Sequence, residues 1–120
     1  ALVIGKFVKQ RAEGEPLSIM GDGEQTRDFT HIDDIVEGII SASTHESGGG
    51  GEVINRGAGR NVTINRIAEL IGGPVRHFPP RIEPKHTCAD NTKAKTLLGW
   101  EPRVSIEDGI NTIKQMYNLP

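Results

Sequence analysis

Apolar positions recur along this chain in two periods, and the two periods alternate. Leu2, Val3, Phe7 and Val8 stand at helical spacing over residues 2 to 12, and Gly14 and Pro16 end that run. "PLSIMG" is a short apolar stretch bounded by Pro16 and Gly21 and predicts a strand; the alternating "DFTHI" predicts a second. Ile32, Ile35, Val36, Ile39 and Ile40 then return to the helical period through about Thr44, with Asp33 as the expected N-cap and Asp34 at the positive end of the helix dipole. "ESGGGG" breaks the chain as a mobile surface turn, and "GEVINRG" predicts a strand closed by Gly57. Thr63 is placed to cap a helix carrying Ile64, Ile67, Ala68 and Ile71. "PVRHFPP" predicts a short strand running into a proline-stiffened loop. Asp90 is the expected cap of a helix with Ala94, Leu97 and Leu98, which Gly99 stops. Ser105 opens a capping box that closes at Asp108, ahead of a last helix carrying Ile106, Ile110, Ile113 and Tyr117. Small strands and about five helices in alternation give an α/β class.

Composition narrows this picture. A length of 120 residues allows one domain with one modest core, and 35% hydrophobic content is low for a self-sufficient globule. A net charge of -2 offers no basic surface for nucleic acid. No run of eighteen apolar residues occurs, so no membrane partner is expected. Lys6, Lys9 and Arg11 interrupt the only apolar opening stretch, so no signal peptide is visible there. With Cys88 alone, an internal disulfide is impossible, and a cytoplasmic location is expected. The chain opens at Ala1 inside a helical pattern and reads as the tail of something longer.

The candidate chemistry lies in "GDGEQTRDFTHIDD", residues 21 to 34. Gly21 and Gly23 begin like a dinucleotide loop, but Thr26 fills the place of the third glycine; Gly57 and Gly59 fail the same test at Val62. Both pairs read as turns after strands. His31, Asp33 and Asp34 diverge at a strand-to-helix junction, and His45, His77 and His86 are scattered, so no metal is expected. Arg27 follows a turn rich in backbone N–H groups, where a guanidinium can fork onto a phosphate; its plainer role is a salt bridge to Asp28 or Glu24 on a solvated turn. The loop "PPRIEPKH" carries Arg81, Glu83 and Lys85 on a proline frame, which suits a ligand or nothing at all.

Three longer stretches add a resemblance. "EPLSIMGDGEQTRDFTHIDDIVEGI" resembles the segment PL-x-I-x-GDG-x-Q-x-RDF-x-x-V-x-D of the NAD-dependent sugar epimerase/dehydratase family, the extended short-chain dehydrogenases. "GEVINRGAGRNVTINRIAELI" is similar to that family's GE-x-(Y/F)-N-I-G-x-G-x-x-x-S-V-x-E-L, and "ADNTKAKTLLGWEPRVSIEDGI" to its closing AD-x-S-K-A-x-x-L-L-G-W-x-P-x-x-x-L-x-x-G-I. In order, the three cover nearly the whole chain, and within the family they sit closest to the UDP-glucose 4-epimerase type.

The resemblance implies the C-terminal, substrate-binding portion of such an enzyme over residues 1–120, with the N-terminal NAD-binding Rossmann domain absent. It implies that Leu17, Ser18 and Met20 lie on a strand whose backbone meets the uracil, that Arg27 binds the diphosphate, that Thr63 and Ile64 flank the nucleoside, and that Glu83 contacts the ribose. The family's arginine three residues before that acid is replaced by Pro80, leaving Arg81 one place along to reach the phosphate. Arg56 stands where the family has an aliphatic residue, which suggests an edge strand or an incomplete sheet. In the family the stretch matched by "GEVINRG" is a strand of the nucleotide-domain sheet, so self-association or pairing with the missing domain is expected here. The implied ligand is a UDP-sugar, and the implied cofactor is NAD in the full-length parent, with none expected in this chain. Catalysis by this chain alone is not expected: the nicotinamide fingerprint is missing, and the only tyrosine, Tyr117, is followed by Asn118, Leu119 and Pro120 instead of the Tyr-x-x-x-Lys pair. The alternatives are a dTDP-sugar dehydratase, a UDP-glucuronate decarboxylase, a stand-alone non-catalytic nucleotide-sugar-binding or oligomerising module, and a remnant without function.

Overall fold

The computed structural model describes residues 2–46 and 50–120. Ala1 and the centre of the "ESGGGG" run, including Gly48 and Gly49, lie outside the described residues. The elements run α1 (Val3–Ala12), β1 (Leu17–Met20), β2 (Thr26–Asp28), α2 (Ile32–Thr44), β3 (Asn61–Thr63), α3 (Ile64–Ile71), β4 (Val75–Phe78), α4 (Thr92–Leu98) and α5 (Ile106–Met116). The α/β class stands, with five helices and two small sheets among the described residues. β1 pairs in parallel with β4, Leu17 opposite Val75 and Met20 opposite Phe78. β2 pairs antiparallel with β3, Arg27 opposite Val62.

The core follows from helical periodicity. Ile64, Ile67, Ala68 and Ile71 form one face of α3, and all are buried. That face meets Phe7 and Val8 of α1, Leu17 and Ile19 of β1, and Ile110 of α5. A separate, smaller cluster of Ala94, Leu98 and Trp100 lies beneath α4. Two expected caps form: Thr63 Oγ1 accepts from Arg66 N at 3.0 Å, and Ser105 Oγ accepts from Asp108 N at 3.0 Å. Gly99 takes the left-handed conformation that ends α4.

Four local expectations are corrected. The ladder expected over "DFTHI" stops at Asp28, because its partner strand ends at Asn61, and Ile32 is recruited into α2. The N-cap of α2 is His31, whose Nδ1 accepts from Asp33 N at 3.2 Å; Asp33 lies inside the first turn. "GEVINRG" forms no strand, for a strand exists only where a ladder closes. Its end is held by side chains: Asn91 donates to Gly57 O, and Ala58 N donates to Thr30 Oγ1. Finally, Asn91 is the cap residue of α4, and Asp90 instead closes a tight turn by accepting from Thr92 N at 3.0 Å.

Candidate functional site

Between α1, the two sheets and α5 opens a cleft of about 1140 Å³. Ser18 and Met20 reach it from β1, Arg27 from β2, Ile64 from the start of α3, and Arg81 and Glu83 from the loop after β4. Residues that lie up to 65 positions apart in sequence thus share one wall. Two further candidates do not line the cleft: Leu17 is fully buried in the core, and Thr63 is the cap residue of α3.

The glycine turn explains how Arg27 arrives there. Gly21 and Gly23 both have positive φ, 72° and 79°, which reverses the chain after β1 at no steric cost. Asn65 of α3 latches the turn by donating to Asp22 O at 3.0 Å and to Glu24 Oε1. A side chain at position 23 would collide with that asparagine. The turn is therefore built to place a strand, and Glu24 is engaged away from Arg27.

Arg27 pairs with neither Glu24 nor Asp28, the partners that a solvated turn implied. Its Nη2 lies 2.9 Å from Glu83 Oε2, and its Nη1 donates to Thr26 O at 2.7 Å. Gln25 joins the same latch: its Nε2 donates to Met20 O at 2.8 Å and approaches Glu83 Oε1 at 3.4 Å. The end of β1, the start of β2 and the loop after β4 are tied together at this point. The loop is pinned further along, where Thr26 N donates to Lys85 O and Thr87 N to Thr26 O. The Arg27 guanidinium, with five donors, keeps protons for a further anion after both contacts are made. Arg81 lines the cleft from an exposed position.

Asp28 was missed in the sequence. Its Oδ2 accepts from Gly59 N and from Ala89 N, both at 2.9 Å, so it fastens two distant segments to β2. Asp34, read as a helix-dipole residue, is buried and accepts from Arg103 N at 2.9 Å and Val104 N at 3.1 Å. The signal for both was only an acid beside an apolar run, which many surface positions share. A second hollow of about 410 Å³ lies by Trp100, Lys95 and Glu101 and gathers none of the candidate residues. Among the described residues no group of three His, Cys, Asp or Glu side chains converges as a metal site, and no helix is long and apolar enough to cross a membrane.

The chain is similar to known proteins over nearly its whole length. The profile of the NAD dependent epimerase/dehydratase family matches residues 1–57. A UDP-glucuronate 4-epimerase of Thermodesulfobacterium geofontis is 42% identical over 115 residues, 89% of this chain and 35% of the relative. UDP-glucuronic acid decarboxylase 2 of Arabidopsis thaliana is 37% identical over 112 residues, 90% of this chain and 25% of the relative. The crystal structure of a UDP-glucose 4-epimerase of Thermotoga maritima with UDP-glucose superposes with a TM-score of 0.87 at 36% identity, covering 98% of this chain and 40% of that one. The chain spans from a quarter to about a third of the length of these curated relatives. Sequence and fold agree from α1 to α5, and with them the chain belongs to the NAD-dependent epimerase/dehydratase family.

Proposed function

We propose that this chain is the nucleotide-holding part of an NAD-dependent nucleotide-sugar epimerase of the UDP-glucose 4-epimerase type, gripping the UDP moiety while the sugar is presented to catalytic groups and NAD supplied from elsewhere in a longer enzyme. One observation carries this reading. Ser18, Met20, Arg27, Ile64, Arg81 and Glu83, separated in sequence, line a single cleft, and Arg27 is oriented there by Glu83. A nucleoside diphosphate asks for this chemistry: a forked cation for phosphate, an exposed peptide edge for the base, an apolar flank for the nucleoside and an acceptor for ribose hydroxyls. Remote binding of this kind positions the reacting sugar without touching it. A UDP-uronate in place of UDP-glucose is a second reading, favoured by the relatives named for glucuronate.

The test is titration of UDP and uridine into the wild-type chain, Arg27→Ala and Arg27→Lys by calorimetry. A charge-assisted contact is worth about 1.5–3 kcal/mol, so Arg27→Ala should weaken UDP roughly ten- to a hundredfold, and Arg27→Lys should recover part of the loss. Uridine bound as tightly as UDP, or UDP binding indifferent to Arg27→Ala, would falsify the reading.

A further inference from the structure

The latch around Arg27 leaves one half-buried cation of the cleft unaccounted for. Lys6, in the middle of α1, lines the same cleft as Ser18 and Met20. No hydrogen bond or ion pair reaches its ammonium among the described residues, so it is partly withdrawn from water without a partner.

Its place along β1 follows from one side-chain contact. Gln10 accepts from Ser18 N at 3.1 Å and also bonds the Ser18 hydroxyl, which sets α1 against β1. Gly14, with a φ of 74°, turns the chain between the two elements, and the contact of Gln10 near the end of α1 with Ser18 near the start of β1 folds the helix back along the strand. One turn back along α1 is about 6 Å, and two residues forward along β1 is about 6.6 Å. Lys6, on the same helix face as Gln10, therefore comes to the Met20 end of the strand. That end is where Gln25 ties Met20 O to the Glu83–Arg27 pair. Lys6 and Arg27 thus approach one end of β1 from different elements.

Charge decides what such a place takes. Arg27 is already offset by Glu83, and Asp28 is held by two backbone N–H groups. Lys6 is left without a counter-charge in a cleft where Arg27 is already partly offset by Glu83 and Arg81 stands exposed. A diphosphate presents two phosphate groups with charged oxygens, and a single forked arginine engages one of them. We infer that Lys6 is a second phosphate-binding cation of this cleft, and that it makes the site select a nucleoside diphosphate over a monophosphate. This rests on the nucleotide-holding reading above.

The experiment titrates UDP, UMP and uridine into the wild-type chain, Lys6→Met and Lys6→Arg, following calorimetry and NMR shifts. Lys6→Met keeps the helical stem and removes only the charge. It should weaken UDP about tenfold, weaken UMP less and leave uridine unchanged, so that the preference for UDP over UMP collapses. Lys6→Arg should restore most of that preference. UDP affinity untouched by Lys6→Met, or an equal loss for UDP and uridine, overturns the role of Lys6 alone. Wild-type UDP bound no tighter than uridine overturns the nucleotide-holding reading and this inference together.

Discussion

At Gly57 the backbone passes so close to Asp28 that there is no room for a side chain. An added Cβ would stand 2.7 Å from Asp28 Oδ2 and would overlap the Ala89 Cβ. That approach is what lets one carboxylate hold both Gly59 N and Ala89 N. Gly57→Ala should push these segments apart and cost about 1–3 kcal/mol, read as a lower midpoint in urea unfolding. A midpoint shift too small to measure would mean that the contact relaxes freely. Asp34 makes a comparable tie from α2 to the chain before α5, and its peptide oxygen accepts from Trp100 Nε1 at 2.9 Å. Asp34→Ala leaves two donors without their acceptor and should cost about 2–4 kcal/mol in the same assay.

At the scale of elements, α2 and α4 behave unlike the α3 core helix. In α2 the buried positions are Asp34 and Gly38, while Ile32, Val36, Ile39 and Ile40 are exposed along one stripe. Its polar and small face packs inward because Trp100 and Arg56 press against Gly38 and need the space. Two exposed carboxylates flank α4. The Thr92 side chain and backbone N–H hold the Asp90 carboxyl below its ordinary value of 3.8, and the Lys95 ammonium holds that of Glu101 below 4.5. Depressed carboxylates stabilise the fold above their unfolded pKa, and that stability is lost as pH falls through the folded value. Acidification below about pH 4 should therefore loosen this region, and Asp90→Asn or Glu101→Gln should flatten the dependence on pH. The Trp100 fluorescence beside α4 reports it; identical acid profiles for wild type and both variants would remove these carboxylates from the account.

For the whole molecule, the radius of gyration is 16.4 Å, whereas a compact domain of this length has about 13.6 Å. The chain is spread out, its two hydrophobic clusters are separate, and the apolar stripe of α2 faces solvent. Exposed apolar surface of this kind associates. Sedimentation should show concentration-dependent self-association of the 120-residue chain, reduced by Val36→Glu with Ile40→Lys; a monomer at every concentration would mean that the stripe is too small to act. With NAD and UDP-glucose supplied, the same chain should give no turnover, since no Tyr-x-x-x-Lys pair falls within residues 1–120 and neither glycine pair completes a dinucleotide loop. Product above blank from homogeneous protein would contradict the proposed division of labour.

Short-range chemistry was legible in the sequence. α3 could be read from the period of Ile64, Ile67, Ala68 and Ile71, and the caps at Thr63 and Ser105 from side chains that reach backbone donors three residues away. Those contacts close within one turn and need no distant partner. The family, too, was legible, because its motifs are contiguous. Tertiary structure alone decided the rest. It gave Arg27 to Glu83, 56 positions along, where adjacency favoured Asp28 or Glu24. It left "GEVINRG" without a ladder, although the pattern of apolar residues suited one. It turned the apolar face of α2 outward, since periodicity tells which residues share a face but not which face finds a neighbour. A strand, an ion pair and a buried face each require a partner in space, and the pairing is set by how the whole chain packs.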